Sequence, residues 1–197
     1  MTPQAESVVE LFRSRGAYLE GHFSLTSGLH STVYLQCALV LQYPEAAEKL
    51  GRALAADLRR ATGSPIRLVA SPALGGLIIG HEVARALGAR FIFTERDAST
   101  GKMTLRRGFQ VTPGETAVVV EDVITTGGST REVIEVLREA GAEVLGAGSI
   151  IDRSGGHAPV GGPRVALATL QVSSHQPEAC PLCAQGVPAV KPGSRPA

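Results

Sequence analysis

Between residues 66 and 152 the sequence alternates two kinds of apolar pattern, and that alternation leaves few architectures open. "IRLVASP", "ARFIFTER", "AVVV" and "EVLGAGSIIDR" are short runs rich in Val and Ile, of strand length. Between them, "LIIGHEVARAL" and the segment holding Val133, Val136, Leu137 and Ala140 place apolar residues at helical spacing, and glycines stop each one, Gly88 and Gly141. Strands apolar on both faces and joined through helices predict an α/β fold, a mainly parallel sheet flanked by helices. Upstream, Pro44 opens a helix whose Ala47, Leu50, Leu54 and Leu58 share one face and which Gly63 ends. Val8, Val9, Leu11 and Phe12 predict a short helix before Gly16, and "RVALATLQV" predicts a last strand. The Ser- and Gly-rich stretch between, "GHFSLTSGLHSTVYLQCALVL", reads as short strands or a hairpin, its "ALVL" included. "DASTGKMTLRRGF", residues 97–109, carries three cations without strand or helix periodicity over most of its length and is expected to be a mobile loop.

At 197 residues and 44% hydrophobic, the chain can bury one sizeable core, so a single domain over 1–197 is expected. Within it, 1–43 form a small N-terminal lobe, and 189–197, rich in Pro, Gly and Ser, a frayed tail. Nineteen basic against eighteen acidic residues leave a charge of +1, which argues against nucleic-acid or membrane partners and makes any anion site local. The opening segment has no charged-then-apolar leader, and no apolar run approaches the ~20 residues of a membrane span, so a cytoplasmic location is expected. Cys37, Cys180 and Cys183 are too few for a disulfide framework. Cys37 is expected in the core. The "CPLC" pair has only His175 near it in sequence, with His157 farther off, and reads as two adjacent thiols rather than a zinc site or a redox dithiol. His22, His30 and His81 read as structural or solvent-facing.

The strand ending at Val120 runs into adjacent carboxylates, Glu121 and Asp122, and then into "VITTGGST". A lone acid pair is most often a solvated strand end. Here the strand end lies where open parallel sheets bind ligands, and the next residues offer hydroxyls and glycine amides at the start of a helix near Thr130. Free amides and the positive end of a helix dipole favour a phosphate. Two acids beside it can accept hydrogen bonds from vicinal sugar hydroxyls or share a magnesium ion carried by a pyrophosphate. Phosphate, diol and metal together describe a phosphorylated ribose. A Walker loop would need a lysine that "GGST" lacks, and "GGLIIG" does not supply Gly-x-Gly-x-x-Gly.

The run "EDVITTGGS", Glu121 to Ser129, closely resembles the phosphoribosyl pyrophosphate signature of the type I phosphoribosyltransferases. Further stretches resemble the orotate phosphoribosyltransferases over nearly the whole chain. "FSLTSGLHS" is similar to that family's hood over the base, with Thr26 where a lysine usually stands, and "IIDRSGG" to the segment whose arginine receives orotate, here Arg153. "ERDASTGKMTLRRGF" is similar to its mobile loop; it keeps Arg96 and Lys102, lacks the usual histidine, and offers Arg106 and Arg107 as substitutes. "SPALGG", Ser71 to Gly76, matches a pyrophosphate-binding loop and reads equally as an ordinary strand-to-helix turn at Leu74.

The resemblance implies transfer of the phosphoribosyl group from phosphoribosyl pyrophosphate to orotate, giving orotidine monophosphate and pyrophosphate in pyrimidine synthesis. Glu121, Asp122 and Lys102 would be catalytic. The phosphoribosyl pyrophosphate would bind through Glu121, Asp122, Val123, Ile124, Thr125, Thr126, Gly127, Gly128 and Ser129, with Arg96, Lys102 and Arg106. Orotate would meet Thr125, Arg153 and Thr26. Mg2+ would be the cofactor, carried by pyrophosphate without direct protein ligands, and a homodimer would share its sites through the loop. The alternatives are a related purine or uracil transferase, or a regulatory protein that senses phosphoribosyl pyrophosphate.

Overall fold

Val118 and Val120 point to one side of the central strand and Ala117 and Val119 to the other, and all four are fully buried between two apolar clusters. That strand, β6 (Thr116–Ile124), lies inside a six-stranded sheet in the computed structural model, which describes residues 2–25 and 27–192. The other members are β3 (Leu68–Pro72), β4 (Arg90–Arg96), β5 (Met103–Leu105), β7 (Glu143–Asp152) and β8 (Arg164–Thr169), in the order β5-β4-β3-β6-β7-β8. All neighbours pair parallel except β5, which runs antiparallel to β4. The mainly parallel sheet flanked by helices is therefore as expected.

Four longer helices cover it. The cluster holding Val118 and Val120 also contains residues of α1 (Pro3–Ser14), α3 (Pro44–Thr62) and α4 (Gly76–Leu87); the cluster holding Ala117 and Val119 contains Val133, Ile134 and Leu137 of α5 (Gly128–Glu139). Two helices end as their glycines predict, α3 at Gly63 and α4 at Gly88, both left-handed. The sheet grows from β3 to β4 in one direction and through β6, β7 and β8 in the other. The order thus reverses between β3 and β6, and the loops leaving their carboxyl ends flank the crevice where such sheets take ligands.

Three readings need correction. "ALVL" is no strand: it forms a one-turn helix, α2 (Ala38–Leu41), that buries Val40 and Leu41 in the core. Residues 97–109 are not wholly irregular, because Met103–Leu105 pairs with Thr94–Arg96 to make a hairpin. Its tip is closed by Asp97, whose side-chain oxygen accepts from the amides of Ser99 and Thr100, both at 3.0 Å. The Ser99 hydroxyl, which donates to the same oxygen, and then these amides hold the carboxyl down at about 2. "CPLC" is the third: Cys180 precedes another one-turn helix, α6 (Pro181–Ala184), and Cys183 lies within it, and both sit beside His22 and His30 rather than His175 or His157.

The N-terminal lobe is a second, smaller sheet. β1 (Tyr18–Ser24) and β2 (His30–Leu35) pair antiparallel, and β9 (Ser174–His175) adds to β2. Within the stretch expected to fray, Val190 donates its amide to His22 O and accepts from Ser24 N, both at 2.8 Å; residues 193–197 lie outside the described chain. Cys37 is buried as expected, 1% exposed. Among the described residues no helix is long and apolar enough to cross a membrane.

Candidate active site

A cleft of about 450 Å³ opens at the carboxyl end of β6. Its floor is Glu121 and Asp122, and Thr125 to Ser129 line one side. The hood's Leu25, Ser27 and Tyr34 face them with Arg153, so the strand end, the α5 loop and the arginine share one space. A larger groove of about 640 Å³ runs among α1, α3 and β8, but it brings no acid pair to a phosphate cradle, and chemistry places the site in the smaller one.

The acid pair is held in place rather than left to solvent. Thr130 of α5 donates a hydroxyl hydrogen bond to Glu121, and Asp122 accepts the amide of Val123 at 2.9 Å. Burial is the main reason that both carboxyls titrate high. Glu121 is pushed up to about 7, with the neighbouring Asp122 charge adding to the shift and the Thr130 bond opposing it; Asp122 is raised in the same direction. Gly75, in the "SPALGG" loop, is what lets Asp122 lie where it does, since a Cβ on Gly75 would meet both carboxylate oxygens at 2.7 Å. Leu74 in that loop is 82% exposed and does not line the cleft.

The cradle begins at the N-terminus of α5, two residues earlier than the expected start near Thr130. Gly127 takes a left-handed conformation, φ 74°, which side chains rarely adopt, and a Cβ there would also crowd Val160 at 3.1 Å. No side chain caps this helix. The first amides of a helix have no carbonyl one turn back, so those of Gly128 and Ser129 are available to an anion.

Arg153 follows β7 and is 6% exposed. Its Nη2 donates to Ser31 Oγ at 2.7 Å and to Val33 O at 3.0 Å, which ties it to the hood. Its Nε is buried with no hydrogen-bond partner among the described residues. Burial lowers the guanidinium's affinity for its proton, so an anionic partner would relieve the site. Asp152, just before it, is pinned by Arg164 at 3.1 Å and by Ser154, which sets the path of the loop.

The predicted residues separate into two groups. Glu121, Asp122, Val123, Thr125 to Ser129, Arg96 and Arg153 line the cleft. Ile124 is buried beneath it in the core. Arg96 is engaged with Glu132 of α5 at 2.9 and 3.2 Å and with Gly101 O at 2.7 Å. Lys102 and Arg106 are exposed on the hairpin and do not line this cleft. Arg107 is committed to Glu95 through two bonds of 2.8 Å. Thr26 lies outside the described residues. Sequence reasoning missed Ser31, Gly75 and Glu132. Only Gly75 left a local signal, as one of a glycine pair.

The switch-point cleft joins an acid pair to an uncapped helix N-terminus, and residues 40–181 match the family described as the phosphoribosyl transferase domain, which makes the chain a phosphoribosyltransferase. Over 190 residues the chain is 56% identical to the orotate phosphoribosyltransferase of Pelotomaculum thermopropionicum, covering 96% of this chain and 97% of that one. With the corresponding protein of Heliobacterium modesticaldum it shares 54% identity, covering 96% and 98%. The crystal structure of orotate phosphoribosyltransferase from Aeropyrum pernix superposes with a TM-score of 0.64 at 28% identity, covering 83% of this chain and 94% of that one. The chain belongs to the orotate phosphoribosyltransferase family.

Proposed function

We propose that this cleft transfers the phosphoribosyl group of phosphoribosyl pyrophosphate to orotate, releasing pyrophosphate and forming orotidine monophosphate. The observation that carries the reading is the buried Arg153, its Nε without a hydrogen-bond partner among the described residues, in the same cleft as the acid pair and the α5 cradle. Orotate differs from a neutral pyrimidine by a carboxylate, and a guanidinium held by the hood selects for that charge. Thr125 completes the contacts to the base.

In this reading the amides from Thr125 to Ser129 grip the 5-phosphate. Glu121 and Asp122 accept hydrogen bonds from the ribose hydroxyls. As the bond to pyrophosphate breaks, positive charge grows on the ribose, and two ionised carboxylates beneath it stabilise that charge more than the ground state. Arg96 can exchange Glu132 for a phosphate oxygen. Lys102 and Arg106 would serve the leaving group of a partner subunit's site in a homodimer.

The donor set fits magnesium arriving with the substrate. The cleft offers one close carboxylate pair, already bonded to Thr130 and Val123, whereas Mg2+ prefers about six oxygens and keeps several waters. Bound to the pyrophosphate, the ion would neutralise its charge, and Glu121 and Asp122 would hold the diol next to it.

The test is a panel of orotate, uracil, adenine and hypoxanthine, each with phosphoribosyl pyrophosphate and magnesium, read by pyrophosphate release. Turnover with orotate and little with the neutral bases is expected. Preference for a neutral base would overturn the assignment of Arg153 and the substrate.

A further inference from the structure

Four side chains that the sequence keeps far apart meet beside the hood. His22 of β1 and His30 of β2 face Cys180 and Cys183, and the four available donor atoms all lie within 4.8 Å of one another. His22 Nε2 is 2.9 Å from His30 Nδ1, 3.4 Å from Cys180 Sγ and 3.8 Å from Cys183 Sγ; Cys183 Sγ is 3.3 Å from His30 Nδ1. A tetrahedral zinc ion, with bonds of about 2.0 Å to nitrogen and about 2.3 Å to sulfur, holds its donors roughly 3.3–3.8 Å apart. Four of the six separations, 2.9–3.8 Å, lie near that spacing; the two rings would part by a few tenths of an ångström, and the widest pair, within 4.8 Å, would close by about 1 Å around the ion.

The protonation pattern points the same way. His22 Nδ1 is 2.7 Å from Val187 O, and a carbonyl can only accept, so Nδ1 carries the proton and Nε2 turns a lone pair into the cluster. A ligating histidine anchored through its other nitrogen to a carbonyl is the usual outer support of a zinc site. Without an ion, that one lone pair faces three groups, and a half-satisfied polar network at a position where His22 and Cys180 are both 4% exposed is unfavourable. Two thiolates and a divalent cation are together neutral, which removes the penalty of burying charge.

We propose that His22, His30, Cys180 and Cys183 form a structural Cys2His2 zinc site that clips the C-terminal segment to the hood. Two thiolates and two imidazoles select zinc over magnesium, which takes oxygen ligands. The hood needs such a staple, because it is a separate three-stranded sheet whose third strand has only two residues. The ion would join positions 158 residues apart, His22 and Cys180, and would fix the strands whose Ser31 and Val33 hold Arg153. Metal binding stands apart from the catalytic reading; the consequence for orotate rests on it.

The test is the metal content of the full-length protein purified under reducing conditions without chelator, with Cys180→Ser/Cys183→Ser alongside. About one zinc per chain is expected in the parent and none in the double variant. A second measurement needs no variant: cobalt(II) added to the chelator-stripped, reduced parent should give the intense visible bands of a tetrahedral thiolate site and be displaced by equimolar zinc. Chelation should lower the melting temperature and raise the KM for orotate severalfold while leaving that for phosphoribosyl pyrophosphate unchanged. A reduced parent that neither contains zinc nor takes up cobalt overturns the site, as does equal zinc in the double variant. An active chain without zinc would sink this proposal alone, and a zinc-loaded chain inactive on orotate would sink the catalytic reading alone.

Discussion

Glu121 works against the stability of its own fold. Its carboxyl titrates at about 7 when folded against an ordinary value of 4.5, so folding favours the protonated form. A raised acid contributes most to stability below about pH 4.5, and that contribution is lost as pH rises to 7. At about 1.4 kcal/mol per pH unit, holding the anion in place costs a few kcal/mol above pH 7. Glu121→Gln should therefore melt higher than the parent at pH 8 and equally near pH 4, while losing most turnover; a melting difference independent of pH would refute the buried-anion account. With Glu121 accepting a ribose hydroxyl as an anion, kcat/KM for phosphoribosyl pyrophosphate should also fall as pH drops below about 7. Arg153→Ala should weaken orotate by roughly tenfold to a hundredfold, from about 1.5–3 kcal/mol for a charge-assisted contact, and phosphoribosyl pyrophosphate far less. Equal losses in the two KM values would assign Arg153 to holding the hood instead.

At the scale of elements, the site is made where two loops approach each other across the switch point. The loop after β3 brings Gly75 against the carboxylate of Asp122 at the end of β6. Gly75 has φ −56° and ψ −41°, which alanine adopts without strain, so Gly75→Ala tests the approach alone. Its methyl group would have to displace a carboxylate lying 2.7 Å away. We expect a loss of at least about tenfold in kcat/KM with little change in melting temperature, because the strain falls on the site and not on the core. Full activity in this variant would show that Asp122 can move without consequence. The hairpin of β4 and β5 is the other functional element. Arg96 ties it to Glu132 on α5, and Met103 of β5 packs in the same apolar cluster as Val133, Ile134 and Leu137 of α5, so its position and that of the cradle are coupled.

For the molecule as a whole, the hairpin cations raise the question of assembly. Lys102 and Arg106 are exposed and stand outside their own chain's cleft. Leu74 in the loop before α4 and Ile78 in its first turn are 82% and 46% exposed, an apolar pair on the surface. In a homodimer with shared sites, Lys102→Ala and Asp122→Asn should each be nearly inactive, and mixing them with subunit exchange should restore activity. Each heterodimer then has one site with both an intact cradle and an intact loop. No recovery despite proven exchange, or a fully active monomer, would rule out sharing.

What the sequence determined by itself was whatever rests on local pattern. Apolar runs of period two or 3.6 and the glycines that stop helices specify β3, β4, β6, β7, β8, α3, α4 and α5, because burial and backbone freedom act within a few residues. "EDVITTGGS" was legible for the same reason: strand end, acid pair and helix start are contiguous, so one loop carries most of the cleft. The tertiary structure decided everything that depends on residues distant in the chain. "ALVL" has a strand's composition, yet it turns helical because Val40 and Leu41 find their burial in the core beside α3. Ser31 meets Arg153 across 122 positions, and no local signal marks it. The "CPLC" pair looked alone for want of nearby histidines. Antiparallel pairing of β1 with β2 sets His22 and His30 side by side, and the chain's return along β1 through Val190 brings the thiols to them. Donor atoms are matched by distance in space, which sequence spacing does not measure.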